Sequence, residues 1–339
     1  MSTIVMTGGT SGFGAITAER LARSKGVRLI LGARHPSTAG GDPLPPGRTA
    51  TGGGTTLAPN RSAIGGGLPL VSGRTAVGGG ELLSLELAEL ASVRAFAAAV
   101  RERLGGAPVD ALLLNAGMIR PDVTGRTADG FETTFAVNHL APYLLARLLL
   151  PVLADKAIVV LTTSGTHDPA TGASLAPPRH ADAELLAHPD RDPGLDPRPR
   201  KAGEHAYTAA KLCAVLTARS LAAIRDRRLI VVAYDPGQVF GTGLAKDLPF
   251  PLRMAWSVLG SRMLRRPLGL LSPHLNSRAA AGNALADLAL GLATPPDGHV
   301  YAALRRARLT WPDPSERARG DEPARTLWAD SARLVHLHD

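Results

Sequence analysis

The sequence predicts a single doubly wound α/β domain: a mostly parallel sheet, helices on both faces and a small helical lid. Three observations predict it. Short apolar runs of four to six residues recur along the chain, each bounded by turn residues, as strands buried on both faces require. Helical patterns separate them, and that alternation implies right-handed crossovers into a parallel sheet. The length of 339 residues is enough to bury a full core.

The elements follow in order. Residues 4–6, 27–31, 82–85, 111–114, 157–162 and 229–233 read as strands, and 300–304 as a closing one. Helical patterns cover 16–23, 92–104, 207–221 and 277–292, with a short turn over 183–188 and a terminal helix over 327–334. The domain is expected to span 1–310, with 311–339 as a C-terminal tail carrying that short helix. Two segments break the rhythm. Residues 36–80 hold three Gly-Gly-Gly triplets and no helical periodicity, which reads as a loose, disordered loop. Residues 167–203 are rich in Pro, Asp and Arg, and long connections of this kind are either disordered or functional.

Composition excludes several classes. The net charge is +9, but the 38 basic residues are spread out rather than interleaved with aromatics, which make up 4%; no nucleic-acid partner is expected. Cys213 is the one cysteine, so no internal disulfide can form, and a reducing, cytoplasmic setting is expected. The N-terminus runs straight into a strand without a signal-peptide pattern. The longest apolar stretch, 140–161, is interrupted by Arg147, Pro151, Asp155 and Lys156 and does not read as a membrane span. No His, Cys and carboxylate cluster has metal-ligand spacing.

The first strand leads through Thr7, Gly8, Gly9, Thr10, Ser11, Gly12, Phe13 and Gly14 into a helix. Glycines at that junction let the backbone approach a pyrophosphate, and the helix N-terminus supplies N–H groups and a dipole, the Rossmann-type arrangement. The second strand ends Leu31, Gly32, Ala33, Arg34. An acid there would bind the 2′-hydroxyl of NAD, whereas Arg34 suits the 2′-phosphate of NADP. Glu86, beside Leu87, is placed either to accept from an adenine amino group or to cap a surface helix. Asn115, ahead of Ala116 and Gly117, either holds neighbouring strands or lines the adenosine pocket.

Tyr207 and Lys211 are four apart in a helical run, so phenol and ammonium share one face. A phenol of ordinary pKa about 10 is a poor base at neutral pH, and a nearby cation lowers it. Ser164 falls at the carboxyl end of a central strand, where open α/β sheets place their sites, and its hydroxyl can donate to a substrate oxygen.

Gly8, Gly12 and Gly14, then Asn115-Ala116-Gly117, Asn138, Ser164, Tyr207 with Lys211, and Pro236-Gly237 stand in the order seen in short-chain dehydrogenases/reductases, which the chain resembles over roughly residues 3–303. The resemblance implies an NAD(P)-dependent oxidoreductase, NADP preferred over NAD because of Arg34. It implies that Asn138 holds a water in a proton relay with Lys211. By the same likeness Tyr207 is the acid/base, Ser164 orients the carbonyl and Lys211 grips the nicotinamide ribose. Val239 and Thr242 fall in the loop beside the nicotinamide, with Thr242 at the carboxamide. The 43-position gap between Ser164 and Tyr207 looks most like the branch of protochlorophyllide reductases and retinol-dehydrogenase-like enzymes. The expected substrate is a small-molecule carbonyl or alcohol; the alternative is a non-catalytic NADP-binding sensor or scaffold. A homo-oligomer is also implied. Residues 244–272 carry Leu252, Trp256, Leu259 and Met263 at helical spacing among arginines. They read as the substrate-covering lid, and their composition suits a bulky apolar substrate or a peripheral membrane contact.

Overall fold

The structure is a computed structural model that describes residues 1–34, 80–226, 228–240 and 272–337. Its strands are β1 (Ser2–Thr7), β2 (Val27–Ala33), β3 (Glu81–Ser84), β4 (Val109–Leu114), β5 (Leu153–Thr162), β6 (Ile230–Asp235), β7 (Tyr301–Arg305) and β8 (Arg308–Thr310). They form one sheet in the order β3-β2-β1-β4-β5-β6-β7-β8. All neighbours are parallel except β7 and β8. The expected doubly wound architecture is therefore what forms. The strand order reverses between β1 and β4, and this switch point opens a crevice at their carboxyl ends.

The helices are α1 (Gly12–Arg23), α2 (Leu90–Leu104), α3 (Thr133–Phe135), α4 (Ala141–Leu149), α5 (Ala183–Ala187), α6 (Pro199–Ala222), α7 (Arg278–Ala289), α8 (Glu316–Arg319) and α9 (Asp321–Leu334). A π-turn, Ala136–Leu140, joins α3 to α4. Successive strand residues point to opposite faces, so each strand feeds two cores. Ile4 and Met6 pack with α1 and α7 on one side, whereas Val5 packs with α2, α4 and α6 on the other. The run Thr133–Val152 is long and apolar enough to cross a membrane by length and composition, but 72% of it is buried inside the fold. It is the core helix between sheet and surface.

Four features differ from the sequence reading. Strand β5 starts four residues early, at Leu153, and passes through Lys156 at φ 59°. Helix α6 starts two turns early, because Pro199 occupies a first-turn position where its fixed φ and missing N–H suit a helix start. Strand β8 was not expected. It returns through Arg306 and Ala307, both with positive φ, a hairpin usually marked by Asn or Gly; here Asn276 and Pro273 hold the turn, accepting from the Ala307 and Arg306 N–H groups.

The C-terminal segment is the fourth. Where a tail was expected, α9 docks on α6 and α5, and Leu327, Ala332, Leu334 and Val335 join the core. The aromatic stripe Phe135, His139 and Tyr143 lies beneath it. His139 Nε2 meets the Ser331 hydroxyl at 2.8 Å, and the Tyr143 hydroxyl donates to the Trp328 carbonyl at 2.9 Å.

The 167–203 segment is structured. Asp182 caps α5 by accepting from Leu185 N–H, and Ala183, Leu186 and Ala187 enter the core. Arg179 pairs with Asp192 at 2.9 Å. Thr242, most of the Gly-rich 36–80 segment, and the lid 244–272 apart from Ser272 lie outside the described residues.

Candidate active site

The crevice is built first at β1. Gly8 has φ +70° and Gly12 φ +61°, the left-handed region that glycine tolerates. A Cβ on Gly14 would fall 2.0 Å from the Gly8 carbonyl oxygen, so only glycine lets the turn fold back on its helix. Ser11 precedes α1 without capping it through its side chain, so no cap hydroxyl takes the first-turn N–H groups beside Thr10 and Phe13. Such groups form an anion cradle. The geometry fits a pyrophosphate.

Asn115 holds neighbouring strands together. Its Nδ2 donates to the Gly8 carbonyl at 3.1 Å and its Oδ1 accepts from the Thr162 hydroxyl at 3.0 Å. The side chain therefore bridges β1 and β5 across the end of β4. Thr7 Oγ1 accepts from the Asn115 and Ala116 N–H groups at 3.1 and 3.2 Å. Glu86 Oε1 accepts from Ala88 N–H at 2.9 Å ahead of α2, whose N-cap is Glu89, and its own N–H donates to the Ser92 hydroxyl. Leu87 is buried in the core beside it. Arg34 is exposed at the tip of β2.

Ser164, Tyr207 and Lys211 come together. Ser164 follows β5, and its hydroxyl lies beside the Tyr207 phenol, where it acts to lower the phenol's pKa. Lys211 Nζ lies 5.7 Å from the Tyr207 ring centre and donates to the Thr162 carbonyl at 2.9 Å. Thr163 fastens the same helix, its hydroxyl donating to the Lys211 carbonyl at 2.7 Å. Tyr207 is 5% exposed and Lys211 4%. Burial pulls the Lys211 ammonium down to about 8, with Asp235 opposing.

Tyr207 corrects the sequence reading. Its phenol is held above its ordinary value, because burial outweighs the Ser164 bond and the Asp235 charge adds to the rise. Desolvation, which penalises the phenolate, sets the direction. The Asn138 side chain is committed at both ends to Met118, accepting from the N–H at 2.8 Å and donating to the carbonyl at 2.7 Å. It fixes the loop after β4. A Cβ on Gly117 would lie 3.1 Å from Asn138 Oδ1 and 3.4 Å from Lys211 Nζ, so the two side chains converge on that loop.

After β6, Pro236 and Gly237 are tied down by Asn276, which donates to the Pro236 carbonyl, and by Asp235, whose Oδ1 accepts from Gly237 N–H. Val239 is buried beyond them. Sequence reasoning gave no role to His167, Asp235 or Arg305. Asp235 is 1% exposed and pairs with Arg305 at 2.8 Å. The carboxylate was visible at a strand end, but nothing in the sequence links it to an arginine seventy positions away. Among the described residues no group of three His, Cys, Asp or Glu could hold a metal ion.

No family model matches the chain. Curated proteins do. The chain is 32% identical over 339 residues to dehydrogenase/reductase SDR family member 13 of Bos taurus, covering 99% of this chain and 73% of that protein. The chain belongs to the short-chain dehydrogenase/reductase family. Retinol dehydrogenase 13 of Homo sapiens is 32% identical over 262 residues, covering 75% of this chain and 68% of the relative. Protochlorophyllide reductase A of Oryza sativa subsp. japonica is 30% identical over 274 residues, covering 76% and 67%. Among solved structures, an uncharacterised protein from Mycobacterium paratuberculosis matches with TM-score 0.61 at 24% identity, covering 100% of this chain and 94% of the other. A short-chain dehydrogenase from Burkholderia cenocepacia, solved with NADP, matches with TM-score 0.51 at 15% identity over 87% and 91%. These likenesses agree with the fold of a short-chain dehydrogenase/reductase, and the curated relatives make it an oxidoreductase family member.

Proposed function

We propose that the chain is an NADP-dependent oxidoreductase that interconverts a carbonyl and an alcohol on a bulky apolar small molecule. The convergence of Ser164, Tyr207 and Lys211 at the carboxyl end of β5 carries this reading. Bound NADPH would supply the hydride. The turn from Gly8 to Gly14 would hold its pyrophosphate, Arg34 the 2′-phosphate, and Lys211 the nicotinamide ribose.

The chain's own groups manage the proton. Ser164 donates to the substrate oxygen and sets its distance from Tyr207. Tyr207 then gives its proton to that oxygen as negative charge develops there. A buried phenol that keeps its proton suits this donor role in reduction. Lys211, cationic up to about pH 8, opposes the charge left on the phenolate. Most of the rate gain comes from orientation and preorganised polar groups.

NADP preference is supported by Arg34 at the β2 tip, with no acid among residues 31–34, and by the NADP-bound Burkholderia neighbour. A large apolar substrate is supported by two relatives named for retinol and protochlorophyllide.

The deciding experiment is an NADPH-oxidation screen against apolar ketones, aldehydes and quinones, repeated with Tyr207→Phe. Loss of proton donation is expected to lower kcat by about 10²- to 10⁴-fold, with NADPH affinity within about twofold of the unaltered chain. Unchanged kcat in Tyr207→Phe would overturn the assignment.

A further inference from the structure

A second set of buried polar groups lies against the Ser164 turn. His167 is fully buried and makes two hydrogen bonds. Its Nδ1 is 2.7 Å from the Ser164 carbonyl oxygen. A carbonyl only accepts, so Nδ1 carries the proton. Nε2 is then the acceptor, and it takes the Ser315 backbone N–H at 3.3 Å. The ring also meets Tyr301 edge-on, with centroids 5.2 Å apart. The Tyr301 hydroxyl donates to Asp235 Oδ2 at 3.2 Å, and Arg305 pairs with the same oxygen. The Ser164 turn lies directly on that pair: a Cβ on Gly165 would come within 2.9 Å of Asp235 Oδ2.

These contacts converge on one question of orientation. The Ser164 hydroxyl accepts from Thr166 N–H at 3.3 Å, which leaves its single proton for Tyr207 or a substrate oxygen. That arrangement lasts only while the turn Gly165–His167 keeps its shape. The Ser164 carbonyl closes the turn by accepting from both the His167 N–H and the His167 ring. The far side of the ring is anchored to Ser315, on the segment between β8 and α8.

We propose that His167 is a positioning residue that aims the Ser164 hydroxyl at Tyr207, so that the segment beyond β8 completes the active site. The proposal rests on the roles given above to Ser164 and Tyr207. It assigns to the Ser-x-x-His spacing of Ser164 and His167 a mechanical function. The two ring nitrogens have separate duties: Nδ1 shapes the turn and Nε2 holds the ring to the C-terminal segment.

The test separates those duties. An Asn side chain places its amide near the Nδ1 position, and a Gln side chain near Nε2. The full chain is labelled with 3-fluorotyrosine, and the Tyr207 fluorine resonance is assigned by its loss in Tyr207→Phe. In His167→Leu that resonance is expected to move. In His167→Asn it returns to the wild-type position, and in His167→Gln it stays displaced. Turnover of the carbonyl that the unaltered chain reduces fastest should follow the same order. We expect kcat down at least tenfold in Leu and Gln, within threefold in Asn, and KM for NADPH unchanged throughout. If His167→Leu does not fold, the Asn and Gln pair alone decides. An unmoved Tyr207 resonance in a folded His167→Leu or His167→Gln chain, or equal effects of Asn and Gln, would overturn the proposal. Full turnover in Tyr207→Phe would instead overturn the reaction assignment and leave the resonance test standing.

Discussion

Replacing Arg305 with Met strands a buried charge. Arg305 Nη2 is 2.8 Å from Asp235 Oδ2, and the two side chains are 19% and 1% exposed. Removing one member of a buried pair costs about 3–5 kcal/mol, because the remaining charge stays desolvated. Asp235 keeps two donors, Gly237 N–H on Oδ1 and the Tyr301 hydroxyl on Oδ2. The loss should therefore fall at the lower end, about 3 kcal/mol. At about 2 °C per kcal/mol for a chain of this size, Tm drops by about 6 °C. Urea unfolding followed by circular dichroism measures the loss directly, with the slope unchanged if only stability has moved. Adding Asp235→Asn to Arg305→Met removes the stranded charge and should recover half of the loss or more. A single variant that melts within about 1 °C of the unaltered chain would refute the reasoning. A double variant no better than the single would show that the unpaired carboxylate is not the cause.

Three further predictions concern the site and its support. A Cβ on Gly203 would fall 2.7 Å from the Arg120 carbonyl and 2.8 Å from Asp122 N, so Gly203→Ala should cost about 1–3 kcal/mol; because Tyr207 is one turn along, kcat should fall too, and a melt with parallel kinetics checks both. His139 is buried neutral with its pKa held near 3 by desolvation. The unfolded chain takes up that proton near 6.5, so stability is present above 6.5 and lost as pH falls toward 3; in His139→Gln, which keeps a partner for Ser331 but does not titrate, denaturant midpoints measured from pH 7 to 4 should show a shallower decline. Arg34→Asp removes a charge-assisted bond worth about 1.5–3 kcal/mol, so KM for NADPH should rise about 10- to 100-fold while KM for NADH does not; equal rises for both would remove Arg34 from phosphate recognition.

The parts of this molecule legible in the sequence were those whose physics is local. Seven strands announced themselves as apolar runs, and Tyr207 and Lys211 as neighbours on one helical face. Gly8, Gly12 and Gly14 could be read because a strand, a turn and a helix met there within a dozen residues. What escaped was set by distant partners. Strand β8 turns on two positive-φ residues, Arg306 and Ala307, which only Asn276 and Pro273 make tenable. The Asn138 side chain ties the loop after β4 through Met118, twenty positions earlier, a contact no local pattern announces. The Tyr207 phenol was expected to be lowered by an adjacent cation. Burial, which depends on the whole surrounding fold, decided the direction instead.

The docking of α9 bears on how the chain reaches its native state. The ring-bearing stripe of Phe135, His139 and Tyr143 emerges from the ribosome well before its cover, Trp328 and Ser331. At ordinary synthesis rates that interval is on the order of 10 to 40 s. Throughout it the nascent chain carries a greasy flank with no partner of its own, a natural landing place for a chaperone. This flank can close only after α9 has been synthesised.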